Sequence, residues 1–278
     1  MKLRRSGRLV DMTHYLLQNP QTLVPLSYFA DRYQSAKSSI SEDLGIIKQT
    51  FEQQGIGSLL TIPGAAGGVK YIPYTGLEEA TQFIEELSEL IAKPDRLLPG
   101  GYLYMTDILG NPKLLNKIGK MFATAFKDTK VDIIMTMATK GIPLAHAVAS
   151  YLDVPVVIVR RDSRVTEGST VSINYVSGSS KRIQTMLLAK RSLETGSNVL
   201  IIDDFMKAGG TVNGMVNLLA EFQANVAGIG VLVESENVEE RLVEDYISLV
   251  KLENVNERDR QIEVNPGNFL TVMSKSNE

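Results

Sequence analysis

The chain has 278 residues, 44% hydrophobic and 22% charged, with a net charge of −3; this is the composition of a globular protein of one large or two modest domains. It has no cysteine, which excludes disulfides, thiolate zinc sites and a cysteine nucleophile, and its two histidines, His14 and His146, are too few for a histidine metal site. No apolar run reaches the ~18–20 residues that span a bilayer, and the opening Met-Lys-Leu-Arg-Arg leads into no apolar signal core, so a cytoplasmic protein with no membrane partner is expected.

Residues 1–75 hold eight Lys or Arg against five Asp or Glu, a surplus of +3 that leaves −6 to residues 76–278. A basic module on an acidic body suits a polyanionic partner for the first part. Apolar residues at 9, 10, 12, 16 and 17 predict an amphipathic helix over 6–18, ended by Asn19-Pro20. Residues 25–33 read as a second, short helix. Residues 38–54 read as a third, with Ile40, Leu44, Ile47 and Phe51 three or four apart. Ser38 and Ser39 are candidate caps, and Glu42 three residues after Ser39 fits a capping box. Two β-rich pieces, 58–62 and 69–72, flank a Gly-rich turn. Three helices and a hairpin make a winged helix over residues 1–74, whose third helix is expected in the major groove of duplex DNA. Candidate DNA-contacting residues are Lys2, Arg4, Arg5 and Arg8 at the basic N-terminus, Lys37, Ser38, Ser39 and Ser41 at the start of the third helix, and Lys70 at the edge of the wing.

Residues 75–278 read as an alternation of strands and helices. Helices are expected at 75–93, 112–126, 142–152 and 211–222, a short strand at 102–104, and buried strands at 131–137, 154–159, 199–202 and 226–233. This order gives an α/β fold with a doubly wound parallel sheet, whose ligands sit at the carboxyl ends of the strands. The loops after 137, 159 and 202 therefore face one crevice. The polar stretch 162–181 is expected to form a mobile flap or hairpin.

The most telling stretch is 199–211. Four apolar β-formers run into Asp203 and Asp204; Phe205, Met206, Lys207, Ala208, Gly209, Gly210 and Thr211 follow, and a helix begins. A glycine loop entering a helix presents N–H groups and a positive dipole end to an anion, and two carboxylates beside it suit the hydroxyls of a ribose. A second loop, Thr139-Lys140-Gly141, adds a point charge and a flexible backbone. Arg160 and Arg161 can reach phosphate oxygens. Tyr102 and Phe205 are candidates to contact a planar base.

Val199 to Thr211 resembles the phosphoribosyl pyrophosphate (PRPP) motif of type I phosphoribosyltransferases. The resemblance implies that the acids bind the ribose 2′- and 3′-hydroxyls, that the loop cradles the 5′-phosphate, that 139–141 is the pyrophosphate loop and that the flap closes over PRPP. Pro99 to Pro112 resembles the base-binding hood of adenine phosphoribosyltransferases. In those enzymes the loop typically reads Ala-Thr-Gly-Gly-Thr, whereas here it reads Lys207-Ala208-Gly209-Gly210-Thr211. A hydroxyl is lost and a cation gained. Such a loop still binds phosphate, but catalysis needs interactions that strengthen in the transition state, whereas a sensor needs only ground-state binding.

Residues 4–11, 36–43, 63–71 and 203–211 together resemble the purine operon repressors of Gram-positive bacteria, a winged helix fused to a phosphoribosyltransferase-like body. That family implies a homodimer that represses purine synthesis and transport genes at operator DNA. It also implies PRPP as inducer, guanosine tetraphosphate (ppGpp) as a competing ligand of the same pocket that favours repression, and effector binding and dimerisation in 75–278. The body is not expected to catalyse transfer and needs no resident cofactor; Mg2+ can accompany PRPP. Two other readings stay open: an active purine phosphoribosyltransferase with an accessory N-terminal domain, and an RNA-binding attenuation regulator.

Overall fold

A computed structural model describes residues 3–64, 66–99, 102–162, 167–177, 182–236, 238, 240–256 and 259–275. The chain divides into two compact units, Met1–Gly76 with Ser150–Asp153, and Leu77–Ala149 with Val154–Glu278.

The first unit contains α1 (Arg5–Gln18), β1 (Leu23–Val24), α2 (Leu26–Tyr33), α3 (Lys37–Gln53), β2 (Gly57–Ile62) and β3 (Gly68–Pro73). The three expected helices and the hairpin are present, and β1 joins them, giving an antiparallel sheet of order β1-β3-β2. Two residues are too few to show an alternating pattern, so β1 was invisible in the sequence. Ile40, Leu44, Ile47 and Phe51 of α3 turn inward onto Met12, Leu16, Phe29, Tyr33 and the wing residues Val69 and Tyr71. The expected capping by Ser38 or Ser39 is not what begins α3. Its N-cap is Ala36, with no side-chain cap, and both serines lie inside the first turn.

The second unit begins with α4 (Leu77–Ile91), a small hairpin of β4 (Leu97–Leu98) and β5 (Tyr102–Leu103), α5 (Thr106–Leu109) and α6 (Pro112–Ala125). Asn111 caps α6, accepting hydrogen bonds from the N–H groups of Lys113 and Leu114. Then come β6 (Ile133–Met137), α7 (Gly141–Leu152), β7 (Val156–Val159), β8 (Thr170–Val176), β9 (Ile183–Ala189), β10 (Asn198–Met206), α8 (Gly210–Glu221), β11 (Asn225–Ser235), β12 (Ile247–Asn256), β13 (Gln261–Pro266) and α9 (Phe269–Lys275). The six-stranded sheet has the order β13-β12-β11-β10-β6-β7. All its neighbours are parallel except β12 and β13, which are antiparallel. Val199 to Ile202 are fully buried in its centre.

Three differences from expectation matter. First, β10 does not stop at Ile202 but continues through the acid pair to Met206, because its backbone stays in register with β11 as far as Met206 beside Glu234. Second, β12 and β13 complete the sheet edge, followed by α9, from a stretch whose charged residues mask any β pattern. Third, the stem of the 162–181 segment is no free loop. It is the hairpin β8–β9, paired from Thr170–Ala189 to Val176–Ile183, with Tyr175, Met186 and Leu188 in the core. The expected hairpin is therefore a packed element; its residues 163–166 and 178–181 lie outside the described set.

Candidate functional site: an acid pair, two loops and a helix entry

The chain leaves β6 for β7 on one side and then returns to β10 on the other. The carboxyl ends of β6 and β10 thus form a topological switch point, where open α/β sheets hold ligands. Asp203 and Asp204 stand at that end of β10. Asp203 is only 5% exposed, and its Oδ1 accepts a hydrogen bond from the Asp204 N–H at 3.1 Å. Desolvation, with the charge of Asp204 behind it, holds the Asp203 carboxyl well above the usual carboxylate range. Desolvation also raises Asp204, and the Lys140 ammonium opposes that rise.

The first loop meets the acids here. A Cβ on Gly141 would collide with Thr136 Oγ1 and stand 3.3 Å from Asp203 Oδ1. Only glycine lets the start of α7 approach the acid so closely. The Ala138–Thr139 peptide is cis, and Thr139 and Lys140 are exposed. Thr136 Oγ1 is buried beside this contact without a hydrogen-bond partner.

The second loop follows on the same strand. Gly209 is the N-cap of α8 in the left-handed region (φ 84°), and no side chain caps the helix. A Cβ there would come within 3.2 Å of Val243, so both torsion and space select glycine. The 12-residue α8 directs its positive end and its first N–H groups into this loop. Lys207 is exposed, Ala208 and Thr211 are half-buried, and Gly210 is buried. Phe205 is half-buried beside Val233 in the sheet, while Met206 is a core residue.

Sequence reading missed the support beneath this loop. The Leu242 N–H donates to the Ala208 carbonyl at 2.9 Å, and Val243 packs on Gly209. That segment is anchored by Glu234, a buried carboxylate at the end of β11. Glu234 accepts hydrogen bonds from Ser248 Oγ at 2.6 Å and from the Tyr246 hydroxyl, and Arg241 Nη1 lies 3.4 Å away. Burial, then the hydrogen bond to Glu234, raises the Tyr246 phenol. The signal was available: an acid directly after the apolar run 226–233, as at Asp203.

Among the described residues, the contacts of the other candidates lie elsewhere. Arg160 bridges to Leu187 of β9 through its backbone, and its Nε lies 3.5 Å from Glu167. Arg161 is exposed. Tyr102 pairs with Leu98 in the small hairpin and is 64% exposed. Among the described residues no group of three or more His, Cys, Asp or Glu could hold a metal, and no helix is long and apolar enough to cross a membrane.

In the first unit, Lys37, Ser38 and Ser41 are exposed on the first turns of α3 and Ser39 is half-buried there. Arg4 is exposed at the N-cap of α1, and Lys2 lies outside the described residues. Arg5 and Arg8 have a structural task. Their Nε atoms donate to the two oxygens of Asp43 at 2.9 Å each. Asp43, on α3, is 1% exposed, and Arg8 is 14% exposed, so the pair clamps α1 to α3. Lys70 is half-buried on β3, opposite Leu23 on one side and Leu60 on the other.

Residues 4–73 match the family model described as Bacterial purine repressor, N-terminal, and residues 105–265 match the Phosphoribosyl transferase domain. Over 270 residues the chain is 69% identical to the purine biosynthesis transcriptional repressor PurR of Bacillus subtilis (strain 168), covering 97% of this chain and 95% of that one. The chain belongs to the PurR family. It is also 49% identical over 268 residues to a purine biosynthesis transcriptional activator PurR of Lactococcus lactis subsp. lactis, covering 96% and 99% of the two chains. These whole-length family members are named as transcriptional regulators and not as enzymes. The second unit also has an enzyme likeness. An adenine phosphoribosyltransferase structure from Thermoanaerobacter pseudethanolicus superposes with a TM-score of 0.54 at 26% identity, covering 60% of this chain and 99% of that one.

Proposed function

We propose that this chain is a cytoplasmic repressor of purine biosynthesis and transport genes. As a homodimer it binds operator DNA through the winged helix and is induced when PRPP fills the pocket at Asp203 and Asp204. The single observation that carries the reading is the convergence of that acid pair with Lys140, Gly141 and the uncapped N-terminus of α8. Each part has a task. The carboxylates accept from the ribose hydroxyls, the 207–211 backbone donates to the 5′-phosphate, and the 139–141 loop receives the diphosphate together with any Mg2+ it carries. Repression, as opposed to activation, is supported by the higher identity to the Bacillus subtilis repressor, 69% against 49% for the lactococcal activator. A second anionic ligand, the diphosphate-bearing nucleotide ppGpp, competes for the same donors and leaves the repressor on DNA.

The pocket binds without turning over, because Lys207-Ala208 replaces the enzymes' Ala-Thr and ground-state affinity is all that a sensor needs. The test uses purified protein, a fragment from upstream of the organism's own purine genes, and PRPP. DNA should be retarded and then released by PRPP, with no pyrophosphate formed from PRPP and any purine base. Pyrophosphate at enzyme-like rates would overturn the reading, and so would retention of DNA at saturating PRPP.

A further inference from the structure

Glycine is the least favourable residue after proline inside a helix, because it gives up the most backbone freedom. Four glycines stand in the interior of the described helices, and two have a packing role visible in the fold. A Cβ on Gly119 of α6 would come within 2.7 Å of the Ala147 backbone and one on Gly214 of α8 would lie 2.5 Å from Met186, whereas one on Gly7, in the first turn of α1, would make only ordinary contact with Leu3 at 3.6 Å. Gly45, in the middle of α3, has the most room of the four: a Cβ there would meet nothing within 4 Å, and its φ is ordinary for a helix.

Its position is also particular. Ile40, Asp43, Leu44, Ile47 and Phe51 form the buried side of α3. Counting 100° per residue, Ser38, Glu42, Gly45 and Gln49 form the opposite side, and all four are exposed. Gly45 therefore sits mid-helix, on the face of α3 turned away from its own core. A helix with side chains is about 10–12 Å across and the major groove is about 12 Å wide, so side-chain size on the outer face sets how deep the helix can lie.

We propose that Gly45 is the point of closest approach between α3 and operator DNA, kept without a side chain so that the helix can seat deeply enough for Lys37, Ser38 and Ser41 to reach their contacts. The inference rests on the reading of α3 as the DNA-entering helix. It assigns Gly45 a positioning role whose signature is a stability gain opposed to a binding loss.

The experiment compares Gly45→Ala, Gly45→Leu and Ser41→Glu with the parent full-length chain, using thermal unfolding and titration of the purine promoter fragment. Gly45→Ala should raise Tm by about 2 °C. It should also weaken operator binding about tenfold, and Gly45→Leu should weaken it further. Parent-like DNA affinity in both glycine variants overturns the Gly45 assignment; if Ser41→Glu then loses binding, the α3 reading itself survives. Parent-like affinity in all three variants sinks both the assignment and the α3 reading. A fall in Tm for Gly45→Ala would show a structural reason for the glycine and would also overturn the inference.

Discussion

Burial and the neighbouring Asp204 hold the Asp203 carboxyl well above its ordinary range. The folded chain therefore keeps a proton that the unfolded chain has lost. Stability falls as pH rises from the unfolded value near 3.8 through the raised folded value, and levels off above it. Asp203→Asn with Asp204→Asn should flatten that slope and stabilise the effector-free protein at pH 7 by about 1 kcal/mol, checked by thermal unfolding at pH 5 and pH 8. The same variant should lose its response to PRPP, because ribose hydroxyls that donate to carboxylates draw on the ionised form. For the parent, PRPP affinity should accordingly rise with pH across this window, as titrations at two pH values can show. Gly209→Ala forces a side chain into the left-handed region and toward Val243. It should destabilise by about 1–2 kcal/mol and weaken PRPP binding, readable by denaturant unfolding and by calorimetry. Most of this site was legible in the sequence, since Asp203, Asp204, Lys140, Gly141 and Gly209 carry their chemistry in their identity and order. Glu234 carried a signal in its place after an apolar run, but Arg241 and Tyr246 carried none, because a supporting network is defined only by which side chains the fold brings together.

At the level of elements, the clamp between α1 and α3 shows how charge can serve the fold. Arg5 and Arg8 look like phosphate contacts by composition, yet both donate to buried Asp43. Removing the acid leaves Arg8 partly buried without its partner. Asp43→Ala should destabilise the first unit by about 2 kcal/mol, seen as faster amide exchange across α1 and α3. The elements legible in advance were those whose apolar spacing repeats over several turns or fills a buried strand, such as α3, α6, β6 and β10. Those that were not legible depend on partners elsewhere: β1 exists through its pairing with β3, and β12 and β13 through the edge of the sheet. The extension of β10 through the acids belongs with them, since register with β11 sets its length.

For the whole molecule, the proposal joins a metabolite pocket in one unit to DNA binding in the other. Linkage makes that joint quantitative. If PRPP weakens operator affinity by some factor, operator DNA must weaken PRPP affinity by the same factor, and couplings of this kind are typically about 5–150-fold. The most direct test is an operator titration followed by fluorescence anisotropy, with and without saturating PRPP, for the parent and for the double variant Asp203→Ala with Asp204→Ala. The expected result is a PRPP-dependent loss of affinity in the parent and an equally tight, PRPP-insensitive complex in the variant. Release of DNA by PRPP from the double variant, or no effect of PRPP on the parent, would contradict the account.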